Sequence, residues 1–373
     1  MSTAARFLVM LVLALSTASM APLAQPAARS APAYVVEPFW PKDMPEGWMF
    51  GNVVGIAVDS KDNVWVTHRP RSQPGAENTP PVVAFDSSGK LIASWGGLKT
   101  IPEWGTQEHG LYIDGKDNVW VGFGGGLPYD VTTKATTDNA HFLKLTPQGK
   151  LVLSIGRFGR GTEGSLSTQY LGNPTDVHVD PKSNEAFITD GYLNRRVIVV
   201  DADTGAFKRL FGAYGNKPDD TQPLNMQFRR SATGPQPQQF NTPHCIVGSN
   251  DGLLYICDRG NQRIQVFKLD GTFVKDVFVK RPDDQGAGLA PQDIALSADP
   301  RQQFVFVQTS DRVYALRRDT MEFVSTFGRA GRSAGQVVAG HSLASDSKGN
   351  LFVGETLLGS RLQKFVPAGQ ATR

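Results

Sequence analysis

Short stretches of alternating apolar and polar residues recur along the chain, separated by turns rich in Gly, Asp and Asn. Alternation with a period of two is typical of β-strands, because successive side chains point to opposite faces of a sheet. Each recurring unit begins with an apolar strand that ends in an acidic or small polar residue, followed by a turn and a second apolar strand. The aligned openings of the six units start at Val54, His109, Thr175, His244, Gln292 and His341.

Two further strands follow the opening in the first five units. They are predicted to form hairpins over residues 82–96, 141–157, 196–212, 263–279 and 312–328, with turns that contain Gly or Asp. Repeats of roughly 40–50 residues that each hold several short strands are the sequence signature of a β-propeller, in which every blade is one four-stranded sheet. The sequence therefore predicts an all-β, six-bladed β-propeller.

The sixth unit lacks an outer strand after residues 361–368. An orphan strand at residues 33–40 has a suitable length to replace it. We expect this N-terminal strand to complete the last blade and close the ring, because an unpaired sheet edge invites aggregation. The sequence thus predicts one propeller domain over residues 33–369.

The first residues are typical of a secretory signal peptide. Arg6 precedes an apolar run and then small residues, which predicts a signal and cleavage region over residues 1–24, with cleavage after Ala21 or Ala24. The alternative is an uncleaved membrane anchor, but the apolar run is shorter than the ~20 residues that a spanning helix needs. We expect a periplasmic or secreted protein that has no membrane contact after cleavage.

Composition narrows the class of partner. The 39 glycines and 24 prolines suit a chain made largely of turns. A formal net charge of +3 gives little reason to expect nucleic acid or an anionic membrane as a partner, although a local basic patch remains open.

The two cysteines, Cys245 and Cys257, are expected to face each other on neighbouring strands of the fourth unit. An oxidising compartment could join them, but cross-strand disulfides are strained, so we expect two buried thiols. A third alternative is that Cys245 ligates a metal beside His244. Strand alternation argues against it, because adjacent residues point to opposite faces.

Three of the six histidines, His109, His244 and His341, occupy the same register in alternate units. A single histidine that opens a strand is more often structural than a ligand. Three at one register would converge on the axis of a closed ring, and three imidazoles with a free fourth position are typical of a catalytic zinc site. Imidazole also binds copper, iron and nickel, so the histidines alone do not exclude these metals. The other histidines, His68, His141 and His178, lie off this register and are expected to be structural.

A second register lies where the second strand of each unit ends. Alignment places Arg69, Gly191 and Arg259 together there, with Tyr192 one residue further on. Guanidinium groups suit a carboxylate, and a phenol beside a dication can act as a base. The alternative for Arg259 is a structural part of the Asp-x-x-x-x-Arg turn that follows this strand in many propeller blades.

The sequence DRGNQRIQVF, residues 258–267, resembles an NHL repeat. More narrowly, the ordered motifs GIAVDSKDNVWVTHR, HGLYID, TDGYLNRR, TPHCIV and GHSLASDSKGNLFVGE resemble the peptidyl-α-hydroxyglycine α-amidating lyases, which are six-bladed zinc propellers. The resemblance spans about residues 50 to 366. It implies a lyase that splits an N-acyl-α-hydroxyglycine into an amide and glyoxylate, with a small-molecule or peptide substrate that carries a carboxylate.

Carried over to this chain, the resemblance implies His109, His244 and His341 as zinc ligands. It also implies Tyr192 as the catalytic base and Arg69 and Arg259 as the arginines that hold substrate. No redox cofactor is implied.

The chain departs from the family at Ala339 and Ser342, where members carry a methionine and an acidic calcium ligand. A structural calcium, with the backbone carbonyls of Ile56 and Leu111 as its remaining ligands, is therefore doubtful. The family's disulfide cysteines are missing too, with Leu193, Tyr255 and Val266 at three of their places. The substrate could accordingly be another small carbinolamide.

Two other hypotheses remain. One is a non-catalytic NHL propeller whose channel mouth binds a protein or peptide. The other is a propeller hydrolase such as a lactonase. The three-histidine set argues against it, because that set contains no carboxylate.

Overall fold

A computed structural model of the protein describes residues 32–124, 140–156, 164–221, 236–279 and 289–370. Its described residues form six antiparallel sheets of four strands each, arranged as a six-bladed β-propeller, so the predicted fold class is confirmed. The predicted signal region, residues 1–24, lies outside the described residues. Within these ranges, no helix is long and apolar enough to cross a membrane.

The strands follow one another in chain order. They are β1 (Tyr34–Glu37), β2 (Asn52–Val58), β3 (Val64–Arg69), β4 (Val82–Phe85), β5 (Leu91–Trp95), β6 (Gln107–Ile113), β7 (Val119–Gly124), β8 (His141–Leu145), β9 (Leu151–Ile155), β10 (Pro174–Asp180), β11 (Glu185–Asp190), β12 (Arg196–Asp201), β13 (Phe207–Phe211), β14 (Pro243–Gly248), β15 (Leu253–Asp258), β16 (Arg263–Lys268), β17 (Phe273–Val277), β18 (Asp293–Leu296), β19 (Phe304–Gln308), β20 (Val313–Arg317), β21 (Phe323–Phe327), β22 (Gly340–Ser345), β23 (Leu351–Glu355) and β24 (Leu362–Pro367).

Blades 1 to 5 each take four consecutive strands, from β2 to β21, and blade 6 holds β22, β23, β24 and β1. The first strand of each blade lies innermost and packs beside the first strands of its neighbours. Five short 3₁₀ helices are seen in the described ranges. They are Pro70–Ser72, Gly164–Leu166, Ala213–Gly215, Arg259–Asn261 and Ala368–Gln370.

The apolar core is divided among the six spaces between successive blades. Between blades 1 and 2, for example, Trp65 packs with Trp104, Val121 and Phe123. Both faces of each sheet are therefore buried, which explains why the middle strands carry nearly continuous apolar side chains. Each Å² of apolar surface removed from water contributes about 25 cal/mol. This burial stabilises each interface between blades and fixes the relative register of neighbouring blades.

An aspartate stands at the end of four of the six inner strands, at Asp59, Asp114, Asp180 and Asp346, and has a structural role in the following turn. Asp59 accepts hydrogen bonds from the backbone and side-chain nitrogens of Asn63 and from the Trp65 indole. Asp114 does the same with Asn118 and Trp120. The recurrence of Asp at this position therefore reflects turn formation.

The N-terminal strand closes the ring as predicted. β1 pairs antiparallel with β24, from Tyr34 opposite Pro367 to Glu37 opposite Lys364. The Tyr34 ring packs against Phe306 and Phe327, and its hydroxyl donates to the Gly349 carbonyl at 3.1 Å. The outer edge of β24 is thereby paired.

Cys245 and Cys257 form a disulfide, so the expectation of two thiols is wrong. That expectation assumed a regular cross-strand pair. In the structure the register of β14 and β15 shifts between Pro243 and Ile246, so that two residues, His244 and Cys245, lie opposite Cys257. This bulge brings the two cysteine Cα atoms to 5.0 Å, within the range that a disulfide spans. Cys245 is therefore not a metal ligand.

Tyr34→Ala should lower the free energy of unfolding by about 2 kcal/mol, because a large packed ring is removed from the strand that closes the ring of blades. Urea unfolding followed by tryptophan fluorescence measures the change. Val35→Ala is the matched control, since the adjacent Val35 side chain is 41% exposed and should change stability little. Equal effects of the two substitutions would contradict a closing role for Tyr34.

Candidate metal centre

The side chains of His109, His244 and His341 meet at the propeller axis. They project from the inner strands of blades 2, 4 and 6. Their ring centroids are 4.9–5.0 Å apart, and one ring nitrogen from each lies within 4.8 Å of the other two. Residues remote in sequence thus form one compact set of nitrogen donors.

A β-bulge lies at the histidine register of each of these inner strands. The register shifts between His109 and Leu111, between Pro243 and Ile246, and between Gly340 and Ser342. A bulge opposes two residues to one and redirects the side chain there. The histidines can therefore point into the channel while the rest of each strand keeps its pairing.

Neighbouring blades orient two of the three rings. The Nδ1 of His109 lies 2.8 Å from the Thr175 carbonyl, and that of His244 lies 2.7 Å from the Gln292 carbonyl. Since a carbonyl only accepts hydrogen bonds, each Nδ1 is protonated and each Nε2 keeps its lone pair for a metal. The third ring, His341, places Nδ1 3.3 Å from the Ser342 hydroxyl.

Burial keeps all three imidazoles neutral. Burial, together with the nearby Arg69 charge, lowers the pKa of His109 to about 3. Burial also lowers the pKa of His244 and of His341 well below 6.5, with further lowering by Arg259 and by the other histidines of the set. Neutral imidazole is the form that ligates metals, so all three rings are in the protonation state that a metal site needs at neutral pH.

Tyr192 lies directly at these nitrogens. Its hydroxyl is 3.2 Å from the Nε2 of His109 and 3.3 Å from the Nε2 of His244. The loop that carries it packs against blade 4 so closely that a Cβ on Gly191 would lie 2.0 Å from the Pro243 carbonyl oxygen. Glycine is therefore required at Gly191, the register at which blades 1 and 4 carry Arg69 and Arg259.

Arg259 also lies at the centre. Its guanidinium stacks 5.2 Å from the centre of the Tyr192 ring and donates to the Gln292 side-chain oxygen at 3.2 Å. The structural role of the Asp-x-x-x-x-Arg turn belongs instead to Arg263, which forms a buried ion pair with Asp258 at 2.7 Å. Arg259 therefore lies at the candidate centre, and Arg263 has the structural role in the turn.

Arg69 is held from the next blade. Its Nε donates to the backbone carbonyl of Glu108 at 2.8 Å, next to His109. Burial lowers the pKa of Arg69 and raises that of Glu108. The Arg69 charge is close enough to lower the pKa of both His109 and His341. Both predicted arginines thus lie within electrostatic reach of the histidine set.

The three other histidines have hydrogen-bond partners elsewhere. His68 bonds to the Gly51 amide and the Pro80 carbonyl, His141 to the Glu103 carbonyl, and His178 to the Tyr112 hydroxyl. None of them joins the three-histidine set.

A cavity of about 300 Å³ extends along the channel from the histidines, and Ile56 and Leu111 line it. The residues present fit calcium poorly, because Ser342 offers a hydroxyl where the resemblance expects a carboxylate. Two carboxylates that sequence reasoning missed, Asp176 and Asp293, also line this cavity.

Both oxygens of each carboxylate already accept backbone N–H groups. Asp176 accepts from Val177 and from Ile246 of the next blade. Asp293 accepts from Ile294 and from Leu343 of the next blade. The two aspartates therefore hold the bulged strands that carry His244 and His341. The sequence could have pointed to both aspartates, because each directly follows the first aligned residue of a repeat unit, Thr175 or Gln292.

Comparisons with known proteins show which proteins this chain is similar to. The NHL repeat family matches residues 240–267, which form most of the first three strands of blade 4. Blade 4 carries an NHL repeat. This match confirms the predicted resemblance to an NHL repeat. Curated proteins of modest sequence identity are also similar to the chain.

NHL repeat-containing protein 3 of Mus musculus is 27% identical over 245 residues, covering 64% of this chain and 58% of that protein. Peptidyl-alpha-hydroxyglycine alpha-amidating lyase 2 of Drosophila melanogaster is 29% identical over 262 residues, covering 64% and 52%. Peptidyl-glycine alpha-amidating monooxygenase of Mus musculus is 25% identical over 342 residues, covering 82% and 29%. The chain thus spans between 29% and 58% of the length of these relatives.

Among solved structures, that of streptogramin B lyase matches with a TM-score of 0.52 and 13% identity, covering 89% of this chain and 97% of that chain. At this identity the similarity concerns the fold alone.

Purified protein, stripped of metal and titrated with zinc, should bind one equivalent at the histidine set. His341→Ala should weaken binding by more than about 100-fold, because loss of an outer hydrogen bond alone already costs 10–100-fold. Competition with a chromophoric chelator measures the affinity. His178→Ala is the matched control and should leave it unchanged; zinc affinity that survives in His341→Ala would exclude the site.

Acid should destabilise the fold through His68. Its neutral ring accepts from Gly51 and donates to Pro80, and burial lowers its pKa from 6.5 to about 4. Between these values the unfolded chain binds a proton that the folded chain does not, so stability falls as pH drops from about 6.5 to 4. The contribution is up to about 3 kcal/mol. Urea unfolding of wild type and His68→Gln from pH 7 to 4 should show a gap that narrows towards acid; parallel curves would refute this origin.

Proposed function

We propose that the protein is a zinc-dependent carbon–nitrogen lyase that cleaves an N-acyl-α-hydroxyglycine-type carbinolamide into an amide and glyoxylate. The observation that carries this proposal is the Tyr192 hydroxyl, which lies within 3.3 Å of two ligand nitrogens while Arg259 stacks on the same ring. A potential base and a carboxylate-binding group thus adjoin one candidate metal position. The similarity to relatives named as α-amidating lyases supports the same chemistry.

The donor set fits zinc. Among the described residues no fourth His, Cys, Asp or Glu joins the set, and three neutral imidazoles alone are typical of catalytic rather than structural zinc. Fixed Nδ1–H groups on His109 and His244 leave Nε2 as the ligating atom on both rings. A bound zinc ion would supply Lewis-acid chemistry, polarising the substrate hydroxyl and lowering its pKa.

The side chains have separate roles in the proposed reaction. As the phenolate, Tyr192 accepts the proton of the substrate hydroxyl and becomes the neutral phenol. The electron pair of that O–H bond becomes the second carbon–oxygen bond of glyoxylate, and the carbon–nitrogen bond breaks with its pair going to nitrogen. Tyr192 can return the proton to that nitrogen, so no redox cofactor is needed. Arg259 and Arg69 bind the carboxylate, since guanidinium groups match carboxylates in charge and geometry.

We further propose that the protein works outside the cytoplasm, in the periplasm or as a secreted protein. The Cys245–Cys257 disulfide supports this, because disulfides persist mainly in oxidising compartments.

A second candidate is a non-catalytic NHL propeller that binds a protein or peptide at the channel mouth. The similarity to NHL repeat-containing protein 3, whose name describes a repeat and not a reaction, supports it. In this case the metal would stabilise the ring without turnover.

Zinc-loaded protein should release glyoxylate from N-acetyl-α-hydroxyglycine, measured by a coupled reductase assay. Tyr192→Phe should lower kcat by about 10²–10⁴-fold while zinc content stays at one equivalent, because only the proton acceptor is removed. Tyr112→Phe is the matched control, because Tyr112 lies in the same channel but bonds to His178. Tightly bound zinc without turnover in wild type would favour the non-catalytic candidate. Full activity of Tyr192→Phe would refute the assigned base.

A further inference from the structure

Gln292 contacts two different parts of the candidate centre. Its backbone carbonyl accepts the Nδ1–H of His244 at 2.7 Å, while its side-chain oxygen accepts from the Arg259 guanidinium at 3.2 Å. Its own amide donates to the Gln308 carbonyl at 2.8 Å, which fixes the backbone. One residue therefore contacts a candidate metal ligand through its main chain and a candidate substrate-binding arginine through its side chain.

The equivalent residues in the other odd-numbered blades are different. Thr175 also offers its carbonyl to a histidine, but its hydroxyl bonds to Thr189 and Pro243 inside the fold. Val54 has an apolar side chain. Of these three positions, Gln292 is the one whose side chain reaches an arginine of the centre. Its main-chain role is shared within the repeat, whereas its side-chain role is particular to blade 5.

The contacts of Gln292 complete a closed circuit of four residues. His244 lies against the Tyr192 hydroxyl at 3.3 Å, Arg259 stacks on the Tyr192 ring at 5.2 Å, and Gln292 joins Arg259 back to His244. A guanidinium that only stacks on a ring can still turn in its own plane. The hydrogen bond to Gln292 opposes that rotation and favours one direction of the Arg259 guanidinium.

We propose that Gln292 is a positioning residue that sets the direction of the Arg259 guanidinium and thereby the preference of the centre for a carboxylate-bearing substrate. This inference rests on the proposed function, since it assumes that Arg259 binds the substrate carboxylate. Two parallel hydrogen bonds from guanidinium to carboxylate need an aligned fork, so a misdirected Arg259 would keep its charge but lose this geometry.

The test uses zinc-loaded protein and two small probes, glycolate and its neutral isostere glycolamide, with affinities measured by isothermal titration calorimetry. Wild type should prefer glycolate. Gln292→Met keeps the side-chain volume but removes the acceptor, and should weaken glycolate binding about tenfold, as expected for loss of one oriented, charge-assisted hydrogen bond. Glycolamide binding should not change. Zinc affinity should stay within about twofold, because every residue at this position retains the carbonyl that orients His244.

Gln292→Asn is the second variant. It stays polar but is one methylene too short to reach Arg259, so it should lose the glycolate preference as Gln292→Met does. Gln73→Met is the matched control, because Gln73 bonds to Leu357 and Ser360 rather than to Arg259. In turnover, both Gln292 variants should raise KM for the carboxylate substrate with kcat nearly retained.

A glycolate preference that survives in both variants would overturn the positioning role. Equal losses of glycolate, glycolamide and zinc affinity would overturn it too, by showing that Gln292 acts only through the histidine or the fold. A wild-type protein that itself shows no preference for glycolate would refute the carboxylate role of Arg259. That failure belongs to the proposed function and is visible without any Gln292 variant.

Discussion

The hydrogen bond from a histidine Nδ1 to the main-chain carbonyl of the next blade is the contact on which the candidate centre depends. It joins His109 to Thr175 and His244 to Gln292, so these two rings are oriented by a blade other than their own, whereas His341 lies beside Ser342 of its own strand. A typical hydrogen bond contributes only about 1 kcal/mol to stability, but these bonds also select the tautomer that leaves Nε2 free. The donor set is therefore a product of blade-to-blade register.

That register is fixed by apolar packing between the sheets. A strand displaced by one residue would present its opposite face, exchanging buried and exposed side chains. Clusters such as the one around Trp104 and Phe123 oppose that displacement. Asp176 and Asp293 add polar clamps by accepting the backbone amides of the next blade just after the histidine register. Burial raises the pKa of Asp176 to about 7, which is the electrostatic consequence of holding a carboxylate inside the channel.

The fold was predictable because each unit repeats one alternation, and because the missing outer strand of the sixth unit matched an orphan strand near Tyr34. The meeting of the three histidines followed from counting along that repeat. The disulfide at Cys245 was mispredicted because simple alternation does not reveal a bulge, in which two residues oppose one. The side-chain contact of Gln292 with Arg259 was also beyond the sequence, because it joins the ends of strands from two blades and depends on a side-chain rotamer.

The pairing of β1 with β24 has a consequence for biosynthesis. Within the propeller, β1 is synthesised before the other strands and β24 after them, and the third histidine, His341, belongs to the last blade. Earlier blades can begin to pack as they appear, since folding during translation proceeds from the N-terminus. A product stalled before blade 6 would lack both His341 and the strand that pairs with β1, so the three-histidine set and the closed ring are completed together.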